Sequence, residues 1–231
     1  MLPPVTEREH IMKSRQQAAV IFDMDGVILD SENLYVECWK QVGEEFGLRD
    51  VVEMSHLIIG VNDTRSEQVF REFYQGKVDF EPCRRRVSEL FHAGSAEGIP
   101  LKKGIHEILD FLKSRKVPVA VASSTRIETV KKELGDAGLG DAFDHVIGGD
   151  MIQKSKPAPD IFLAAAKLLE TEPENCYVLE DSHNGIRAAA AAGMHPVMVP
   201  DLLEATQEMR SLAEVVCPSL LEAIEYLREK V

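Results

Sequence analysis

The segment Ala18-Ala19-Val20-Ile21-Phe22-Asp23-Met24-Asp25-Gly26-Val27 decides the fold. Its five leading apolar residues suit a buried β-strand and are too short a run for a helix. Asp23 to Gly26 is turn chemistry. On an extended stretch residues i and i+2 face the same way, so Asp23 and Asp25 project together from the end of the strand. A calcium loop does not fit, because Val27 stands where a further ligand belongs.

Further short apolar runs follow at 117–122, 145–147, 176–179, 196–199 and 215–216. They alternate with amphipathic helical patterns at 104–115, 127–137, 160–169, 184–192 and 219–228. Strand–helix alternation of this kind predicts an α/β core: a Rossmann-like parallel sheet with helices on both faces. Residues 31–100 break the rhythm. They carry helical patterns at 31–46, 50–56, 64–74 and 82–92 without a convincing strand, which predicts a small α-helical cap domain. The core is then 16–30 with 101–231, the cap 31–100, and the connections 29–31 and 98–104 are the expected hinges. Residues 1–15 are expected to be a leader, and a second start at Met12 would make 1–11 disordered.

Twenty-six Lys and Arg against 39 Asp and Glu leave a net charge of −13. This opposes nucleic acid and anionic membrane as partners, since both demand a positive field. No apolar run approaches the roughly 20 residues of a membrane helix. Cys38, Cys83, Cys176 and Cys217 are far apart with no C-x-x-C pair, and read as buried free thiols of a reducing, cytoplasmic compartment. The oligomeric state is not legible.

In open parallel sheets the ligand lies beyond the carboxyl ends of the strands. The residues expected there are Asp23 and Asp25, Ser123, Glu180-Asp181, and Lys156 at the head of a helix. Carboxylates suit Mg²⁺, which fills its octahedron with water and phosphate oxygen. A lysine, a serine hydroxyl and helix-start N–H groups suit the other phosphate oxygens. With two carboxylates on one side, one can attack phosphorus while the other supplies a proton to the departing oxygen.

Asp23-Met24-Asp25-Gly26-Val27, Ser123, Lys156-Pro157-x-Pro159-Asp160 and Glu180-Asp181-Ser182 with Gly185-Ile186 resemble the four ordered motifs of the haloacid dehalogenase-like superfamily. The helical insert resembles the cap of its β-phosphoglucomutase and phosphoglycolate-phosphatase-like branch. The resemblance implies a Mg²⁺-dependent phosphatase of a small phosphorylated metabolite, working through an aspartyl-phosphate. Asp23 would be nucleophile and metal ligand. Asp25 would be general acid and base, with its backbone carbonyl on the metal. Ser123 and Lys156 would hold the phosphoryl group, Asp181 would ligate the metal, and Glu180 would act through water or orient the shell. The alternative is a sugar phosphomutase, but the cap histidine of those enzymes is replaced by Tyr35 here. The loop Gly60–Arg65 is similar to a substrate-contacting cap loop, making Asn62 and Arg65 substrate candidates, with Ser124 and Asn184 beside the site.

Bland readings suit the rest. The glycines of 135–140 follow a helix and read as its C-cap and turn. Trp39 and Phe46 lie at helical spacing and are expected in the cap core. Arg84-Arg85-Arg86 reads as a solvated helix face.

Overall fold

The computed structural model describes residues 18–96 and 98–231; the expected leader and the Met12 start lie outside them. The quoted segment forms the central strand β1 (Ala19–Phe22). Four helices follow: α1 (Glu32–Phe46), α2 (Val51–Leu57), α3 (Asp63–Phe73) and α4 (Phe80–Gly94). The remaining elements are α5 (Ile105–Ser114), β2 (Val119–Ala122), α6 (Ile127–Asp136), β3 (His145–Ile147), α7 (Asp160–Leu168), β4 (Cys176–Glu180), α8 (His183–Ala191), β5 (His195–Met198), α9 (Gln207–Leu212), β6 (Val215–Val216) and α10 (Leu220–Leu227). The expected alternation is present. The pattern did not reveal α9, because its six residues bury Met209 alone and show no helical period.

The strands run parallel in the order β3-β2-β1-β4-β5-β6. Winding reverses beside β1, so the switch-point crevice lies at the carboxyl ends of β1, β2 and β4. Side chains along each strand alternate between faces. Val20, Phe22, Val121 and Leu179 meet α5, α6 and α10. Ala19, Ile21, Ala120 and Ala122 meet Ile161, Phe162, Ala165, Ala188 and Ala189 of α7 and α8. The alanine-rich second face lets those helices approach closely, and their N-termini lie at the crevice.

Helices α1–α4 surround a separate apolar cluster that includes Trp39, Val42, Met54, Phe70, Phe80 and Val87. Phe46 departs from expectation and is 44% exposed. The close approach of α2 falls one turn earlier, at Gly43, where Val51 leaves no room for a side chain. Gly47 then ends the helix in the left-handed conformation. The two connections to the cap run side by side: Asp30 N–H donates to Pro100 O at 2.8 Å, and Lys102 N–H to Ile28 O at 2.9 Å. Arg86 pairs with Glu45 and Arg84 with Glu81, so the arginine run serves the cap surface. Gly138 turns the chain after α6 with φ +75°. The four cysteines are free and buried. No helix among the described residues is long and apolar enough to cross a membrane.

Candidate active site

Each strand delivers its site residue through the last rungs of the sheet. Asp23 N–H donates to Leu179 O at 2.9 Å, and Ser123 N–H to Ile147 O at 3.1 Å. The side chains leave the sheet where its hydrogen bonding ends, on backbone that is already held. Asp23, Glu180 and Asp181 place carboxylate oxygens within 4.8 Å of one another, all buried. Lys156 reaches in from the loop before α7, 1% exposed. Its ammonium lies 2.5 Å from Asp23 Oδ1, 2.8 Å from Glu180 Oε1 and 4.9 Å from the centre of the Phe162 ring.

Glu180 is fully engaged by the protein. It accepts Lys156 and the Ser182 hydroxyl on one oxygen and the Ser182 N–H on the other. Its geometry is that of a bracket holding Lys156. Gly185, in the first turn of α8, makes this bracket possible, because a Cβ there would fall 1.6 Å from Glu180 Oε1. Gly185→Ala is therefore expected to displace the carboxylate and destabilise the protein by about 1–3 kcal/mol, the usual scale of overpacking. Thermal unfolding checks this, and an unchanged melting temperature would refute the bracket.

Burial pushes the Asp23 carboxyl up to about 7; Lys156 opposes this, while Glu180 and Asp25 add to it. Burial also works against the Lys156 charge, but Asp23 and Glu180 outweigh it and hold the ammonium above its ordinary value. Asp181 is raised well above the usual carboxylate range by burial and then by its acidic neighbours, Glu180 first.

A divalent cation fits this arrangement. Asp181 Oδ2 is buried with no hydrogen-bond partner among the described residues. Gly26, at φ +77°, keeps the space against that oxygen open, since a Cβ would fall 2.5 Å from it. An all-oxygen donor set of this kind suits a hard ion such as Mg²⁺.

Asp25 stands nearer the surface. Its carboxylate accepts the Ser31 hydroxyl at 2.6 Å from the cap hinge and the Thr125 hydroxyl at 3.2 Å, with Ser123 at 3.5 Å. The lower-ranked candidates are placed differently. Ser124 donates to Gly60 O at 3.1 Å, and Asn62 N–H donates to Ser155 Oγ at 3.1 Å; both bonds join cap to core. The Asn62 side chain caps α3. With Arg65, Gln68 and Lys154, Asn62 lines a cavity of about 430 Å³ beside Lys156. Asn184 accepts from Arg187 along α8 at 3.4 Å. Three polar residues of the site carried no motif: Ser31, Thr125 and Glu32, the last being 7% exposed at the start of α1.

Fold and site together define a hydrolase with a Rossmann-like core and a helical cap. The family model described as haloacid dehalogenase-like hydrolase matches residues 20–199, and the chain belongs to that family, in its β-phosphoglucomutase-like branch. It is 31% identical over 209 residues to a phosphorylated carbohydrates phosphatase of Thermotoga maritima, covering 90% of this chain and 96% of that one. It is 34% identical over 187 residues to a fructose-1-phosphate phosphatase of Escherichia coli, covering 79% and 96%. The crystal structure of β-phosphoglucomutase from Clostridium difficile superposes with a TM-score of 0.79 at 26% identity, covering 93% and 96%.

Proposed function

We propose that this protein is a Mg²⁺-dependent phosphatase that hydrolyses a small phosphorylated metabolite, a sugar phosphate or similar phosphomonoester, through a phosphoaspartate on Asp23. The observation that carries this reading is the buried Asp23 carboxylate, held on one side by Lys156 and facing the unpartnered oxygen of Asp181 on the other. Such a carboxylate is oriented for attack, and the site has room for positive charge to balance an incoming anion.

In the first half-reaction an Asp23 oxygen bonds to phosphorus. The bond from phosphorus to the substrate oxygen breaks, and Asp25 gives that oxygen its proton. In the second, Asp25 takes a proton from water as the water oxygen bonds to phosphorus. The bond to Asp23 breaks and inorganic phosphate leaves. Lys156 and Ser123 orient the phosphoryl oxygens, and Glu180 keeps Lys156 in place. Asp23 and Asp181, with the backbone carbonyl of Asp25, would hold Mg²⁺, which supplies charge neutralisation at the transferring phosphoryl group. The cap covers the reacting centre and excludes bulk water.

Phosphatase is preferred over mutase because of Tyr35. It stands where the mutases carry a cap histidine, and it packs edge-on against Trp39 and Phe91 within the cap's aromatic cluster. A panel of phosphorylated metabolites assayed in Mg²⁺ should show inorganic phosphate release that chelation abolishes. Robust isomerisation of β-glucose-1-phosphate with a bisphosphate primer, without phosphate release, would replace this reading by the mutase.

A further inference from the structure

Glu32 belongs to no motif, yet it is among the most buried carboxylates in the molecule. It is the first residue of α1, directly after the hinge, and is 7% exposed. Among the described residues it accepts no hydrogen bond and makes no ion pair, whereas Asp23, Asp25 and Glu180 all have donors. Its chain neighbour Ser31 donates to Asp25 at 2.6 Å, which sets the start of α1 against the site, and the charges that act on Glu32 are acidic: Asp25 first, then Asp23, Asp201 and Glu180. Burial first, and then those charges, push its carboxyl well above the usual range.

Asp201, in the loop after β5, shares the predicament on one side. Its Oδ1 pairs with Lys102 at 2.8 Å, while its Oδ2 is buried without a partner among the described residues. Two carboxylates outside the motif set, one carried by the cap and one by the core, thus add their charge to that around Asp181, whose Oδ2 has no partner among the described residues.

The positive end of the α1 dipole relieves Glu32 in part. It supplies no hydrogen-bond donor to the side chain, which has no protein donor among the described residues. A hydrated divalent cation does. Mg²⁺ dehydrates reluctantly and keeps several of its waters. Those waters are strong donors, and carboxylates placed around a metal's direct ligands characteristically accept from them.

We propose that Glu32 is a cap-borne positioning residue that accepts a hydrogen bond from a cation-bound water, so that cation binding and cap docking favour each other. This rests on the reading that Asp23 and Asp181 hold a divalent cation. Because Glu32 moves with the cap, whatever tightens the ion when the cap is docked must dock the cap when the ion binds. The ion then joins the two domains as well as balancing the phosphoryl charge.

The test is Mg²⁺ binding to the full chain without substrate, by calorimetry, together with melting temperature and protease cleavage of the 98–104 connection. Three variants are compared with wild type: Glu32→Gln, Glu32→Asp and Asp181→Asn. Glu32→Gln is expected to weaken Mg²⁺ binding about tenfold or more, the usual effect of losing such a partner. Its metal-free melting temperature should equal or exceed that of wild type, since a carboxyl crowded by acidic neighbours is gone. The rise in melting temperature and the protection of 98–104 that Mg²⁺ confers should both shrink. Glu32→Asp, which keeps the charge but shortens the reach, should fall between.

Wild-type Mg²⁺ affinity in Glu32→Gln overturns the proposal. So does a lower metal-free stability with an undiminished Mg²⁺ increment, which is the signature of a merely structural residue. If Asp181→Asn also binds Mg²⁺ normally, the underlying cation assignment fails, and the proposal fails with it.

Discussion

Asp23→Asn is expected to remove phosphatase turnover by a factor on the order of 10⁴ or more, the scale on which loss of a covalent nucleophile is felt. The substitution keeps the shape of the side chain and an oxygen that can accept from Lys156, now 2.5 Å away. What disappears is the anion that bonds to phosphorus. The fold should survive, because Lys156 retains Glu180 as a charged partner at 2.8 Å and the repulsion that Glu180 and Asp25 exert on Asp23 is relieved. Melting temperature therefore serves as a control that should move little while phosphate release collapses. Acid-quenched wild type caught during turnover should carry phosphate on the peptide containing Asp23, and the variant should carry none. Turnover within tenfold of wild type, in a folded variant, would end the phosphoaspartate reading.

All but Lys156 of these residues were legible because they end or directly follow a strand, and parallel sheets put such residues at one rim. Asp23, Ser123 and Glu180 need only the strand assignments; Lys156 needs the loop before α7 to fold back, and its motif supplied that. Glu32 was hidden for a physical reason. An acid in the first turn of a helix already has a local explanation in the helix dipole, and only the docking of the cap shows that it is buried. Asp201 was hidden likewise, as one acid in a loop whose partner Lys102 lies 99 residues away. Ser124 and Asn184 were expected beside the site, but the contacts they make decide where they point: Ser124 joins the cap through Gly60, 64 residues away, and Asn184 turns along α8 to Arg187, three residues on. Helical spacing put Phe46 with Trp39, and the close contact of α2 at Gly43 left it outside. The overall charge of −13 weighs against polyanions, which meet the whole surface. A single phosphate meets only the crevice, where Lys156 and the cation would reverse the local balance.

Lys156→Met is expected to be the most destabilising substitution at the site. Methionine fills a similar volume beside Phe162 but leaves Asp23 and Glu180 buried against each other with no positive charge between them. Removing one member of a buried charge pair typically costs about 3–5 kcal/mol, which for a domain of this size lowers the melting temperature by on the order of 10 °C. The deficit should depend on pH in a definite direction. Asp23 is raised from the ordinary 3.8 to about 7 with Lys156 opposing the rise, so without that lysine it rises further. A carboxyl whose folded value exceeds its unfolded one binds its proton more tightly when folded. Its contribution to stability is therefore fully present below the unfolded value and is lost as pH climbs through the window between the two. Melting curves in chelator should show the variant closest to wild type near pH 5 and furthest from it above pH 8. Lys156→Arg keeps the charge, but a planar guanidinium does not fit a slot shaped for a compact ammonium. It should recover part of the stability at high pH and little of the turnover. A deficit of the same size at every pH would mean that Lys156 contributes packing alone, and that Asp23 is not held for attack by its charge.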